Sequence, residues 1–148
     1  MSIRLTPGLL DEIQVHAARH YPNEGAGVIL GVLLSGGDRE GRQLLCFDNA
    51  FRAAERYHRY QIEPLDMLTA ENQAEELNLA IIAVFHSHPD HPARPSEFDR
   101  SMAFPWFSYL ITSVHQGKVH QTRSWKLDEE QQQFKEEQII IHEAVETS

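Results

Sequence analysis

Leu79 to Asp99 reads LAIIAVFHSHPDHPARPSEFD, and its opening run decides the architecture. Leu79 to His86 (LAIIAVFH) is nearly continuous in apolar residues over the length of one strand, the pattern of a central β-strand covered on both faces. Burying such a strand takes a layer on each side, so helices are expected to pack against the sheet. The run ends in His86-Ser87-His88-Pro89, a proline-rich loop follows from Pro89 to Pro95, and Ser96 opens a short helix. Residues two apart on a strand share a face, so His86 and His88 present two imidazoles to one point.

Working outward, Thr6-Pro7 supplies an N-cap and a first-turn proline. Leu9, Leu10, Ile13 and Val15 to Ala17 continue an amphipathic helix that ends near Tyr21-Pro22. Gly25 to Leu34 (GAGVILGVLL) and Gln43 to Phe47 predict a hairpin of two buried strands, with the polar residues Asp38 to Arg42 in its loop. Arg56 to Ile62 predicts a third strand. Pro64 starts a second helix whose buried face is expected to carry Leu65, Met67, Leu68, Ala70, Ala74 and Leu77. Strands are expected from Ser108 to Val114 and from Lys118 to Leu127 around a turn at Gln116-Gly117. Asp128 to Glu137 reads as a solvated helix or linker, and Gln138 to His142 as an added edge strand. The expected fold is a single α/β domain over residues 1–127, with a polar extension at 128–148.

A length of 148 residues with 41% hydrophobic content suits one domain with one sizeable core. The formal net charge of -9 disfavours nucleic acid and anionic membranes and favours a neutral or positively charged protein partner. Cys46 is the only cysteine, which excludes an intramolecular disulfide framework and a Cys-rich zinc knuckle, so any metal site must use nitrogen and oxygen ligands. With no signal-type apolar segment at the N-terminus and no membrane-length run, the chain is expected to be soluble and cytoplasmic. Cys46 reads as a buried strand residue, Phe104, Trp106 and Phe107 read as core, and His91 as a solvated loop residue. The basic cluster Arg52, Arg56, His58 and Arg59 reads as a solvent face or a contact for an acidic partner.

The loop after His88 is long enough to turn the chain back, so Asp99 can join the two histidines. Two nitrogens, one oxygen and an open fourth position make the pattern of a catalytic zinc. Taken singly, a His-x-His tripeptide is compatible with chance, and Ser96 with Asp99 describes an N-cap followed by an acidic first turn. Taken together, HSHPDHPARPSEFD closely resembles the signature of the JAMM metalloproteases, or MPN-plus domains: His-x-His, seven residues, Ser, two residues, Asp.

That resemblance implies a curved mixed β-sheet flanked by helices, the cytidine-deaminase-like JAMM/MPN fold. It implies one zinc ion per chain held by His86, His88 and Asp99. It also asks for a glutamate at the start of the first core strand, where Glu24 stands in PNEGAGVILG. Glu24 is then the base that binds and deprotonates the zinc water, and Ser96 stabilises charge on the carbonyl oxygen. The implied activity is hydrolysis of a peptide or isopeptide bond. The compact chain resembles prokaryotic members that process ubiquitin-like or sulfur-carrier proteins, cutting after a C-terminal Gly-Gly, with the extended tail held beside an edge strand. The alternatives are a non-catalytic zinc module that recognises a ubiquitin-like tail, a nucleic-acid-linked relative and a phage-type cell-wall peptidase. The oligomeric state is open, a homodimer included.

Overall fold

The computed structural model describes residues 1–49 and 60–143. Among them are seven strands: β1 (Ser2–Leu5), β2 (Ala26–Leu33), β3 (Arg39–Phe47), β4 (Ala80–Pro89), β5 (Ser108–His115), β6 (Lys118–Asp128) and β7 (Gln133–Ile141). Three helices accompany them: α1 (Pro7–His20), α2 (Pro64–Glu76) and α3 (Glu97–Met102). The sheet is mixed, as expected: β1 runs parallel to β3 and β7, β4 runs parallel to β5, and the other neighbours are antiparallel. It also closes on itself, in the order β1-β3-β2-β4-β5-β6-β7. No helix among the described residues is long and apolar enough to cross a membrane.

β4 is covered on both faces. On one side Ile82, Ala83 and Phe85 pack with Leu9, Ile13 and Ala17 of α1, which recur every four residues on one helix face. On the other, Val84 packs with Ala70 and Ala74 of α2. α1 starts where its sequence says it should: the Thr6 hydroxyl accepts from the Leu9 N–H at 3.1 Å, and Pro7 occupies the first turn.

Several elements differ from expectation for identifiable reasons. β3 begins at Arg39, so the hairpin loop is shorter than the polar residues suggest. On α2, Leu65, Leu68 and Leu77 are 76%, 50% and 47% exposed, because one helical stripe can hold Met67, Ala70 and Ala74 but not every apolar residue of the helix. Tyr60 to Ile62 lies outside any strand, while 56–59 and the basic cluster Arg52, Arg56, His58 and Arg59 fall outside the described residues. Asp128 accepts from the Glu130 and Gln131 N–H groups, turning the chain into β7 rather than a solvated helix or linker. β7 is no edge strand: it pairs with β6 through Gln133 to Glu137 and with β1 through Gln138 to Ile141. Cys46 is exposed, as are Phe104 (49%) and Trp106 (59%), which stack on each other; Phe107 packs against the α2 side of the core as expected.

Closure buries a charged pair. Glu137 accepts from the Ser108 and Ser124 hydroxyls at 2.7 and 2.9 Å, tying β7 to β5 and β6. Arg39, equally buried, donates to the carbonyls of Ile82 and Trp106. Burial draws the Arg39 pKa down, and the charge of Glu137 opposes that shift. Removing Glu137 leaves the buried Ser108 and Ser124 hydroxyls without their acceptor and Arg39 without the nearby opposite charge, and each buried group so orphaned typically costs about 1–3 kcal/mol. Glu137→Ala should therefore lower the urea midpoint strongly at unchanged slope, and combining Glu137→Leu with Arg39→Met should recover most of the loss.

Candidate metal centre

The antiparallel register of β2 and β4 sets Ala26 opposite His86, so Glu24, two residues before Ala26, lies beside the histidine-bearing end of β4. His86 and His88 point the same way, their ring centroids 5.0 Å apart. α3 begins at Ser96 and brings Asp99 to the same point. All four titratable side chains are buried: His86 at 0%, Glu24 at 1%, Asp99 at 6% and His88 at 7% exposure.

Hydrogen-bond chemistry determines which ring nitrogens are free. The Nδ1 of His88 lies 2.9 Å from the Pro92 carbonyl, and the Nδ1 of His86 lies 3.2 Å from the Glu24 carboxylate. Both partners can only accept, so in the neutral rings Nδ1 carries the proton and Nε2 the lone pair, while a second proton on His88 Nε2 makes the hydrogen bond to Asp99. Those lone pairs face Asp99, at 3.0 Å from His88 and 3.7 Å from His86. The His86 Nε2 is buried with no hydrogen-bond partner. Two lone pairs converging on a carboxylate repel unless a cation or proton lies among them, so the donor set fits a metal ion.

Without a cation the same geometry appears in the protonation equilibria. Burial disfavours the charged form of His88, but its hydrogen bond to Asp99 outweighs this and raises the pKa. Burial likewise works against ionised Asp99, yet the two histidines and the Ser96 N–H hold its carboxyl well below the usual range. Glu24, His86 and His88 also offer ligand atoms within 4.8 Å of one another. Both carboxylates are therefore within reach of the histidines, from opposite sides of His86.

Ser96 serves α3 first. Its Oγ accepts from the Asp99 N–H at 3.0 Å, and Asp99 Oδ2 accepts from the Ser96 N–H at 2.8 Å, a reciprocal capping box. The hydroxyl's own proton has no acceptor among the described residues. Ser96 also lines a cavity of about 400 Å³ together with Glu24, His88, His91, Arg94 and Phe98. His91 is thus exposed, as expected, but at the cavity wall.

Three supporting residues escape a reading of the sequence. Ser87, between the two histidines, accepts from the Gly25 N–H at 2.7 Å and so fixes the backbone next to Glu24. Asn49 donates to the Glu24 carbonyl at 3.1 Å and accepts from the Gln61 N–H. Tyr60 stacks on His86 at 4.2 Å, and burial, with Asp99 nearby, raises its pKa well above the ordinary value. Ser87 carries a weak signal, a polar residue inside a buried strand; nothing local marks the other two.

With this geometry in hand, comparison with known proteins places the chain. The family model of prokaryotic homologs of the JAB domain matches residues 6–128, and the chain belongs to that family. A probable TtuB-protein conjugate cleaving protease of Thermus thermophilus is 35% identical over 104 residues, 70% of this chain and 65% of that protein, so the match spans less than two thirds of it. A CysO-cysteine peptidase of Mycobacterium bovis is 30% identical over 120 residues, 80% of this chain and 78% of that protein. A solution structure from Desulfitobacterium hafniense, 32% identical, superposes with a TM-score of 0.82 over 97% of this chain and 95% of that one. A structure described as a JAMM metalloprotease-like zinc site in the proteasome and signalosome shares the fold, with a TM-score of 0.56 at 17% identity over 97% of this chain and all of that one. The resemblance drawn from the His86 to Asp99 motif is borne out.

α1 supports the strand that leads away from Glu24. The His16 ring packs edge-on against Phe85, its Nε2 lies 3.2 Å from the Ala26 carbonyl, and a side chain at Gly25 would crowd it. Burial, with His20 nearby, lowers the His16 pKa from 6.5 to about 4. A depressed pKa on a base means the folded state prefers it neutral. Its contribution is complete above pH 6.5 and is lost as the pH falls toward 4. Between pH 7 and pH 4.5 the wild type should lose more stability than His16→Phe, measured by denaturant melts at each pH.

Proposed function

We propose that this chain is a zinc-dependent metallopeptidase that hydrolyses the amide bond after the C-terminal Gly-Gly of a ubiquitin-like or sulfur-carrier protein. The observation that carries this is the convergence of two Nε2 atoms on one buried carboxylate, with a second buried carboxylate, Glu24, beside His86 and lining the adjoining cavity. In this assignment His86, His88 and Asp99 hold the metal, and two imidazoles with one carboxylate favour zinc among common divalent ions. Zinc, when bound, supplies Lewis acidity: it lowers the pKa of water and polarises a carbonyl.

The protein's own groups do the rest. Glu24 takes a proton from the attacking water as its oxygen bonds to the scissile carbonyl carbon. The unused hydroxyl proton of Ser96 is donated to the carbonyl oxygen as negative charge builds there. When the C–N bond breaks, the proton held by Glu24 passes to the leaving nitrogen, so the products are a carboxylate and an amine. Ser87 and Asn49 hold the N–H and the carbonyl of the Glu24–Gly25 peptide, and so fix the backbone that carries the Glu24 carboxylate.

The substrate follows from the named activities of the relatives, conjugates of TtuB in one and a CysO-cysteine adduct in the other. A tail without side chains is suited to a cavity walled by prolines and Phe98. β1 pairs with β3 only at Ile3 and Arg4, so Gly41 to Phe47 of β3 keep one side without a strand partner among the described residues, where an extended tail can add.

Glu24→Gln should retain stoichiometric zinc by elemental analysis while hydrolysis of a Gly-Gly-extended carrier, weighed by mass spectrometry, falls by about a hundredfold or more; wild-type turnover in this variant removes Glu24 as the base. Asp99→Ala should lose most of its zinc after dialysis, and a full complement of metal would overturn the ligand assignment.

A further inference from the structure

The hydrolase proposed above leaves open what is joined to the Gly-Gly tail: a single amino acid with a free α-carboxylate, or the side-chain amine of a lysine in another protein. The two differ in charge close to the reacting nitrogen. In the first, a carboxylate sits one carbon away from that nitrogen; in the second, a run of methylenes does.

Among the described residues Arg94 is the only permanently cationic side chain lining the cavity that holds Glu24, His88 and Ser96. Arg94 is exposed and makes no close ion pair among the described residues, its nearest carboxylate influence being the charge of Glu136. The neighbouring arginines differ: Arg100 is paired with Glu97, and Arg123 holds Glu136 with two contacts. Arg94 also stands on a rigid base. Ala93 before it is buried, its carbonyl accepting from the Trp125 indole at 2.9 Å; Pro95 follows it, and its own N–H donates to the Pro92 carbonyl at 2.8 Å. On a chain of net charge -9, an exposed guanidinium on the wall of that cavity suits recognition of an anion. His91 lines the same wall and can add a donor.

We infer that Arg94 binds the free α-carboxylate of the leaving group, and that the preferred substrate is a carrier tail carrying one terminal amino acid. This rests on the proposed hydrolase. The chemistry is unchanged: water adds across the amide, giving the Gly-Gly carboxylate and the free amino acid.

The test uses the zinc-loaded enzyme with two synthetic peptides ending in Gly-Gly-Ala, one with a free carboxylate and one with a C-terminal carboxamide. The carboxylate peptide should have the higher kcat/KM, by about tenfold to a hundredfold, the span of one charged hydrogen bond. Arg94→Ala should collapse that ratio toward one and Arg94→Lys should restore part of it. Equal cleavage of the two peptides by wild type, or an Arg94→Ala effect that lowers both alike, overturns the inference and leaves the hydrolase standing. Calorimetric binding of both peptides to Glu24→Gln separates the two proposals. An Arg94-dependent preference there without wild-type cleavage retains the carboxylate site and discards the hydrolase; no binding and no cleavage discards both.

Discussion

Two buried imidazole lone pairs aimed at one buried carboxylate form the constraint around which this structure is arranged. Such a cluster is costly in a low-dielectric interior unless a cation completes it, and each of its members is held from outside the cluster. Glu24 and the Pro92 carbonyl take the Nδ1 protons, which leaves the Nε2 atoms to converge. Asp99 does two jobs with one carboxylate: Oδ2 accepts from the N-cap of α3 and faces His88. The short helix and the metal centre therefore depend on each other, and neither can shift without the other.

The sheet supplies the precision. β4 is sealed on one face by α1 and on the other by α2, so its last residues emerge at a fixed height and rotation. The antiparallel neighbour β2 begins where β4 ends, and with Ala26 across from His86 the register brings Glu24 to the histidine-bearing end of β4. Ser87 then spends its hydroxyl on Gly25, joining the two strands at the level of the site. At the far side, the buried Arg39 and Glu137 hold β3, β5, β6 and β7 in the closed arrangement.

Electrostatics divides the labour between interior and rim. Inside, the carboxylates of Glu24 and Asp99 face the imidazoles of His86 and His88. On the cavity wall Arg94 opposes the sign of the whole chain, and among the described residues it makes no close ion pair while Arg100 and Arg123 do.

Sequence alone carried the features that rest on local periodicity. The apolar run into His86 marked a doubly covered strand, the period of two put His86 and His88 on one side, and Thr6-Pro7 and Ser96 marked helix starts. Those are properties of a few neighbouring residues, so a linear chain reveals them. Register and closure are not. β1 is only four residues long, and β7 alternates polar side chains that read as solvated until β1 and β6 are seen to pair with it. The exposure of Leu65, Leu68, Cys46 and Trp106, and the support given by Asn49 and Tyr60, depended on which surfaces met. A residue's own sequence neighbourhood states its chemistry and its face; what covers that face is set by segments far along the chain, and only tertiary packing decides it.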